Sequence, residues 1–344
     1  MRKPKYKNHV YIIAEIGMNH DGSFGNALKH LQVAAECGVD AAKFQMHIAE
    51  AEMLPHAPAP SYFQDESRWN YFNRTAFDDK QWKRLIREAK KLDLDFVISP
   101  FSEEAVRRCR RLSVSSVKIA SGEVNNVFML NAVKKSNMPV ILSSGMSTVS
   151  ELDYAVEMLS GNGQLKAVLQ CSSKYPCMPE DVGLNVILTL KGKYPEVTIG
   201  LSDHTINNNA SFAAVALGAK IIEKHFTLSK RAYGPDAKFS LEPDELKELV
   251  DGIRSIEKMI SSEIDKDEVM QYNKMRKVFC KSIVARMDIK KGDKIVYSKL
   301  TAKKPGNGML PSRLPDILNK VARRNIRKNE MIVPMDVKER GSRG

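Results

Sequence analysis

Short apolar runs of strand length alternate with amphipathic stretches of helical period from residue 10 to about residue 260. The first run, VYIIAEIG, precedes a helical pattern near Asn26–Cys37 and a second short run, DAAKFQ. After an irregular stretch, DDKQWKRLIREAKKL places Trp82, Leu85, Ile86 and Ala89 on one helical face. Next come the strand DFVISPF, a helix through Ala105–Leu112, the strand SVKIASGE and a helix at Met129–Lys135. PVILSSG, a helix at Glu151–Leu159 and KAVLQCS continue the pattern. It closes with TIGLSD, a helix around Ala210–Leu217, KIIEKHF, and a helix from Pro243 to about Ile260. Eight strand candidates alternating with helices over about 250 residues predict a (β/α)8 TIM barrel. A doubly wound open sheet is the rival; the absence of G-x-G-x-x-G after the first strand weakens it.

The barrel is expected over residues 1–262. Residues 263–275 are polar and aromatic-poor, as a linker or helical tether is. From Arg276 the texture changes to short β-like pieces, and K-K-G-D and R-K-N-E sit between apolar runs as turns do. A small second domain is expected over 276–338, with a disordered tail over 339–344.

Of the 344 residues, 43% are hydrophobic and 28% charged, an ordinary balance for a globular protein. The basic opening and its brief apolar run are too short for a membrane span and lack a cleavage site, so a cytoplasmic enzyme is expected. Five cysteines without regular spacing argue against a disulfide framework. Cys37, Cys109 and Cys280 suit small core positions. Of the net charge of +13, essentially all falls after Met275. A nucleic-acid arm would explain that bias, but the basic residues are interleaved with Val, Ile and Leu, and stacking aromatics are scarce. An anionic small substrate explains it as well.

Polar residues gather at the C-terminal ends of the predicted strands: Glu15, Lys43, Gln45, Ser99, Lys118, Ser121, Ser143, Ser202, His204 and His225. Barrel enzymes carry their chemistry on that rim. His204 and His225 end neighbouring strands, so two imidazoles at matching depth can share a divalent ion and leave positions open for water and substrate. A lone strand histidine is more often a hydrogen-bonded core residue; the pairing favours ligands. His20, in a rim loop, is equally suited to ordering that loop. Lys43, Lys118 and the serines can surround a phosphate or carboxylate, although one lysine could instead be a Schiff-base nucleophile. Glu15 can be an acid–base group or a salt-bridge partner of a lysine. Asp236 could reach a polyol or simply turn the chain.

The strings IIAEIGMNHDGS, AAKFQMH, ISPFS, VKIASGE, ILSSGMS, QCSSKYPCMPEDVGLN, IGLSDHT, GAKIIEKHFT and GPDAKFSLEPDEL resemble the sialic acid synthase family in order and spacing. DIKKGD, KKPGNGM and KVARRNIRKNEMI resemble that family's C-terminal antifreeze-like (SAF, β-clip type) domain. The resemblance implies condensation of phosphoenolpyruvate with an N-acetylated hexosamine, N-acetylmannosamine first, giving a nine-carbon acid and phosphate. Pseudaminic, legionaminic and 9-phosphate versions are the runners-up, and a non-catalytic carbohydrate-binding protein is the alternative from another class. By the same resemblance, His204 and His225 would hold Mn²⁺ or Mg²⁺. Lys43, Ser99, Lys118, Ser121, Ser143, Ser173 and Ser202 would bind phosphoenolpyruvate, and Gln45, Tyr175 and Asp236 would line the sugar site. Glu15 would move the proton of the water step. The family's arginine before the PGNG-type turn, which reaches into the other subunit's sugar site in a domain-swapped homodimer, is Lys304 here. Ser173 stands where an amide or threonine is common, and Phe239 resembles the pseudaminic-type enzymes.

Overall fold

The computed structural model describes residues 9–62 and 65–338. The expected tail, 339–344, lies outside the described residues. The chain divides into two units, Met1–Ser262 and Glu263–Gly344.

In the first unit the apolar runs form β1 (Tyr11–Gly17), β2 (Ala41–Met46), β3 (Asp95–Pro100), β4 (Ser116–Ile119), β5 (Val140–Ser143), β6 (Leu165–Cys171), β7 (Thr198–Asp203) and β8 (Ile221–His225). Among the described residues these eight strands close into a parallel barrel in sequence order. The open-sheet rival fails at one seam: β1 pairs with β8, Tyr11 opposite Ile221 and Glu15 opposite His225. Around them run α1 (Phe24–Cys37), α2 (Ala49–Glu52), α3 (Arg68–Thr75), α4 (Asp79–Lys91) and α5 (Glu103–Leu112). The ring is completed by α6 (Val127–Ser136), α7 (Val149–Ser160), α8 (Leu184–Lys193), α9 (Asn209–Ala216) and α10 (Pro243–Ser261).

Local chemistry explains the helix starts. Asp78 and Gln81 form a reciprocal capping box on α4, and Thr148 and Glu151 form another on α7. Trp82, Leu85 and Ala89 are buried on the inner face of α4, with Ile86 packed beside them. Two features depart from the sequence reading. α8 was not expected, because LNVILTL is a continuous apolar run and Gly183, in a left-handed conformation, offers no side-chain cap. The irregular stretch after β2 contains α2 and α3; α3 starts where the Ser67 side chain accepts from the Asn70 amide.

Side chains of a strand alternate between two faces. Tyr11, Ile13, Ala41, Val97, Ile141, Ala167, Leu169 and Ile221 make an apolar cluster separate from the larger core between strands and helices. Two residues further along the same alternation, these positions turn polar: Glu15, Lys43, Ser99, Ser143, Cys171 and Glu223. Near the start of β1, His9 bonds Asp40 at 2.7 Å, and Arg254 on α10 bonds both Asp40 (2.8 Å) and Glu257 (2.7 Å). Glu257 and Asp40 also accept the backbone amides of Val10 and Ile12, tying the first strand to the last helix.

The second unit begins with a 3-10 turn at Met270–Tyr272 and α11 (Asn273–Phe279). β9 (Ser282–Ala285) pairs antiparallel with β10 (Leu300–Lys303), and β11 (Val321–Ala322) with β12 (Val337–Lys338). An internal repeat underlies it: ARMDIKKGDKIV from Ala285 and ARRNIRKNEMIV from Ala322 are joined by reciprocal backbone hydrogen bonds. Ile289 and Ile326 exchange N–H···O bonds of 2.8 Å, Gly292 N donates to Ala322, and Asn329 N donates to Ala285. Gly292 and Asn329, with φ of 91° and 67°, make the two expected turns. All five cysteines are free thiols; Cys37 and Cys109 are buried, whereas Cys280, expected in a core, is only half-buried. No helix among the described residues is long and apolar enough to cross a membrane.

Candidate active site

The strand ends converge on one cavity of about 480 Å³. Glu15, Lys43, Gln45, Ser99, Lys118, Ser121, Ser143, Ser173, Tyr175, Ser202, His204 and His225 all line it. Register brings them to one depth: Lys43 lies opposite Glu15, Ser99 opposite Gln45, and Ser202 opposite Cys171. Asp236 joins from the loop after β8. A β-carbon built on Gly17 would come within 3.5 Å of Gln45, Glu15 and Asp236, and Gly17 has φ of +53°, so glycine there lets the three side chains converge. Lys304 belongs to the second unit, where its Nζ lies 5.4 Å from the centre of the Phe279 ring.

The floor of the cavity is a buried quartet of charges, one member of which sequence reading missed. Glu223 Oε1 accepts from Lys118 Nζ and Ser202 Oγ, each at 2.9 Å, and Lys43 Nζ lies 3.4 Å away. Lys43 also pairs with Glu15 at 3.0 Å, and Gln45 Nε2 donates to Glu15 at 2.8 Å. Glu223 could have been found: it precedes His225 by two residues, so alternation puts both on one face. Burial opposes the ionised form of Glu223, yet Lys118 and Lys43 outweigh it and hold the carboxyl well below its ordinary range. Glu15 goes the other way. Burial, with Glu223 nearby, pushes its carboxyl up against the pull of Lys43. Burial also works against the Lys43 ammonium, but Glu15 and Glu223 hold it above its usual range. Lys118 differs, burial outweighing Glu223 and lowering its ammonium, yet it too is ion-paired. Paired lysines suit an anion site better than a free-amine nucleophile.

Ser99 Oγ accepts from Lys43 at 3.1 Å. A β-carbon on Gly145 would fall 2.5 Å from both the Ser121 and the Ser173 hydroxyls, so this glycine leaves the two hydroxyls room to converge. Hydroxyls, ammonium groups and a bare stretch of backbone form a cradle for an oxyanion.

At the other side stand the histidines, with ring centres 5.3 Å apart. His204 Nδ1 donates to the Ser172 carbonyl at 2.8 Å, and its Nε2 lies 2.9 Å from the Tyr175 hydroxyl. His225 Nδ1 is buried without a hydrogen-bond partner. Burial, helped by His204 and Lys43, keeps His225 neutral by pushing it well below its ordinary range. Burial also works against the charged form of His204, but Cys171 and the Ser172 carbonyl outweigh it and hold this ring above its ordinary range. With His204 deprotonated, two imidazole nitrogens, one ring backed by a backbone carbonyl, fit the donor chemistry of a divalent ion. Among the described residues no group of three or more His, Cys, Asp or Glu is arranged to hold a metal by itself, so water or substrate would supply the remaining ligands. Asp236 is pushed up to about 6 by burial and by Glu15.

Other lining residues carried no usable sequence signal. Pro60, Tyr62 and Arg68 arrive from the irregular stretch after β2, and Cys171 ends β6 facing the cavity. Burial raises the Cys171 thiol, but His204, Ser121 and Lys118 outweigh it and bring it to about 7. His20 proves to order its loop: it is buried, stacks on Phe77 at 4.5 Å and accepts from the Gly22 amide.

Comparison with known proteins agrees with this layout. Residues 30–265 match the NeuB family model and residues 281–338 the SAF domain model. The chain is 38% identical to the N,N'-diacetyllegionaminic acid synthase of Campylobacter jejuni, over 93% of this chain and 98% of that one. It is 35% identical to human N-acetylneuraminate-9-phosphate synthase, over 85% and 82%. Among solved structures, the N-acetylneuraminic acid (sialic acid) synthetase of Leptospira borgpetersenii aligns with a TM-score of 0.69 and 31% identity, covering 80% of this chain and 95% of that one. An eight-stranded barrel with this charged floor, followed by a SAF domain and matched along nearly its whole length, belongs to the NeuB family of sialic-type acid synthases.

Proposed function

We propose that the protein condenses phosphoenolpyruvate with an N-acetylated hexosamine, N-acetylmannosamine in the first instance, and water. The products are a nine-carbon 2-keto-3-deoxy acid and phosphate. The observation that carries this reading is the buried Glu15–Lys43–Glu223–Lys118 quartet beneath a serine-lined cradle, facing two histidines in one cavity.

Lys43, Lys118, Ser99, Ser121, Ser143, Ser173 and Ser202 bind the enol phosphate, its charge offset by the two ammonium groups. Gln45, Tyr175 and Asp236 orient the sugar. Carbon 3 of the enol attacks the aldehyde carbon; water adds to carbon 2; the bond between carbon 2 and the phosphate oxygen then breaks. Glu15, whose carboxyl is raised by burial, exchanges the proton of the water step, while Glu223 stays ionised and fixes both lysines. His204 and His225 would hold Mn²⁺ or Mg²⁺, which would supply Lewis acidity. In a homodimer, Lys304 of the second copy adds a charge at the sugar end.

Similarity to synthases for legionaminic, pseudaminic and 9-phosphorylated acids keeps those sugars in the test. Phosphate release from phosphoenolpyruvate, measured with a panel of hexosamines and Mn²⁺ and followed by mass spectrometry, is expected to show one product heavier than the sugar by a pyruvate unit. No release with any sugar, or release that survives chelation of divalent ions, would overturn this mechanism.

A further inference from the structure

The ionisable residues of the cavity divide into two sets. Lys43 and Lys118 are matched by Glu15 and Glu223, so the floor is close to neutral before any substrate enters. Arg68 also lines the cavity and has no carboxylate partner within 4 Å among the described residues. Glu66 pairs with Arg74 at the other end of α3, and Glu52 pairs with His47.

Arg68 is also held in place. It is the first residue of α3, fixed by the Ser67 cap and by the buried Tyr71, Phe72 and Thr75 behind it. Its guanidinium carbon lies 5.4 Å from the centre of the Phe72 ring. Phe72 stacks on His47 at 3.6 Å, and His47 stacks on Phe101 at 4.3 Å, so one wall is a continuous pile from Arg68 to the end of β3. His47 is clamped by Glu52 on one ring nitrogen and Gln45 on the other. An arginine stacked on an aromatic face keeps its planar N–H fork free, and that fork matches phosphate oxygens.

We infer that Arg68 is a specificity-determining residue that takes a substrate phosphate group in this cavity. The inference rests on the proposed condensation only for which molecule brings the phosphate: phosphoenolpyruvate or a phosphorylated hexosamine.

The test compares full-length wild type, Arg68→Gln and Arg68→Lys. Calorimetric titration uses inorganic phosphate, phosphoenolpyruvate and N-acetylmannosamine 6-phosphate; steady-state kinetics uses the same substrates with unphosphorylated N-acetylmannosamine as the neutral control. Loss of a charge-assisted pair is expected to weaken phosphate binding by about 10- to 100-fold in Arg68→Gln. Arg68→Lys, which keeps the charge, is expected to lie between and guards against a folding defect. Weakening confined to phosphoenolpyruvate places the group on that substrate, and weakening confined to the 6-phosphate places it on the sugar; either supports the inference. Equal phosphate affinity in wild type and Arg68→Gln, or an equal loss for neutral N-acetylmannosamine, overturns it. If wild type consumes no phosphoenolpyruvate with any sugar, the proposed condensation fails, while the titrations still decide the role of Arg68.

Discussion

Replacing Glu223 by glutamine keeps the shape of the side chain and deletes the charge that holds Lys43 and Lys118. Glu223 is 4% exposed and its Oε1 meets Lys118 Nζ and Ser202 Oγ at 2.9 Å and Lys43 Nζ at 3.4 Å. The variant leaves Lys43 with Glu15 alone and Lys118 without its carboxylate, the case in which removing one partner of a buried pair costs about 3–5 kcal/mol. Taking about 3 kcal/mol, and about 2–4 °C per kcal/mol for a domain of this size, Tm should fall by about 6–12 °C at pH 7. Because folding depresses the Glu223 carboxyl well below its ordinary value of 4.5, its contribution is full above 4.5 and is lost only as pH falls from there through the much lower folded value. The gap between wild type and variant should therefore persist near pH 4 and close only in stronger acid. An added oxyanion should compensate the unpaired ammonium groups, so saturating phosphate should raise Tm more in the variant than in wild type. Differential scanning calorimetry at pH 7 and at a series of pH values stepped downward from pH 4, with and without phosphate, checks all three. A variant with wild-type Tm at pH 7, or one that phosphate does not rescue preferentially, would refute the charge balance argued for the cavity floor.

Arg254→Met removes the cation shared by Asp40 and Glu257 and should lower stability to urea by about 2–4 kcal/mol, leaving the KM of the refolded enzyme unchanged because the network is remote from the cavity. Asp236 has a folded pKa raised to about 6, so its contribution is greatest below its ordinary value of 3.8 and is lost as pH rises through 6; Asp236→Asn should raise Tm at pH 8 and change it little at pH 4. Gly145→Ala puts a β-carbon 2.5 Å from the Ser121 and Ser173 hydroxyls and should raise the KM for phosphoenolpyruvate by at least about tenfold with a small change in Tm, as steady-state kinetics would show.

Several positions show where sequence reading stopped. The period of the apolar runs located every barrel strand, because β-alternation leaves a regular trace where one face meets helices and the other fills the barrel. The same period put Glu15, Lys43, Ser99 and His225 at strand ends, and they line one cavity. Glu223 obeyed that rule and was passed over, because a single glutamate beside a lysine resembles a solvated pair. Arg68 and Tyr62 obeyed no rule, since they enter from an irregular connection whose path depends on α3 docking against the barrel.

What the sequence determined by itself was the alternation of elements, the rim that carries polar side chains and a specific resemblance to one family. These follow from local geometry: period two or 3.6 is written in neighbouring residues. What only the tertiary structure decided was pairing. Closure at the β1–β8 seam sets Glu15 opposite His225, and the barrel's cross-section brings Glu223 between Lys118 and Lys43 from strands more than a hundred residues apart in sequence. Whether a buried carboxylate is raised or depressed depends on those distances, since Coulomb energy between charges in a low-dielectric interior falls with separation in space and is indifferent to separation along the chain.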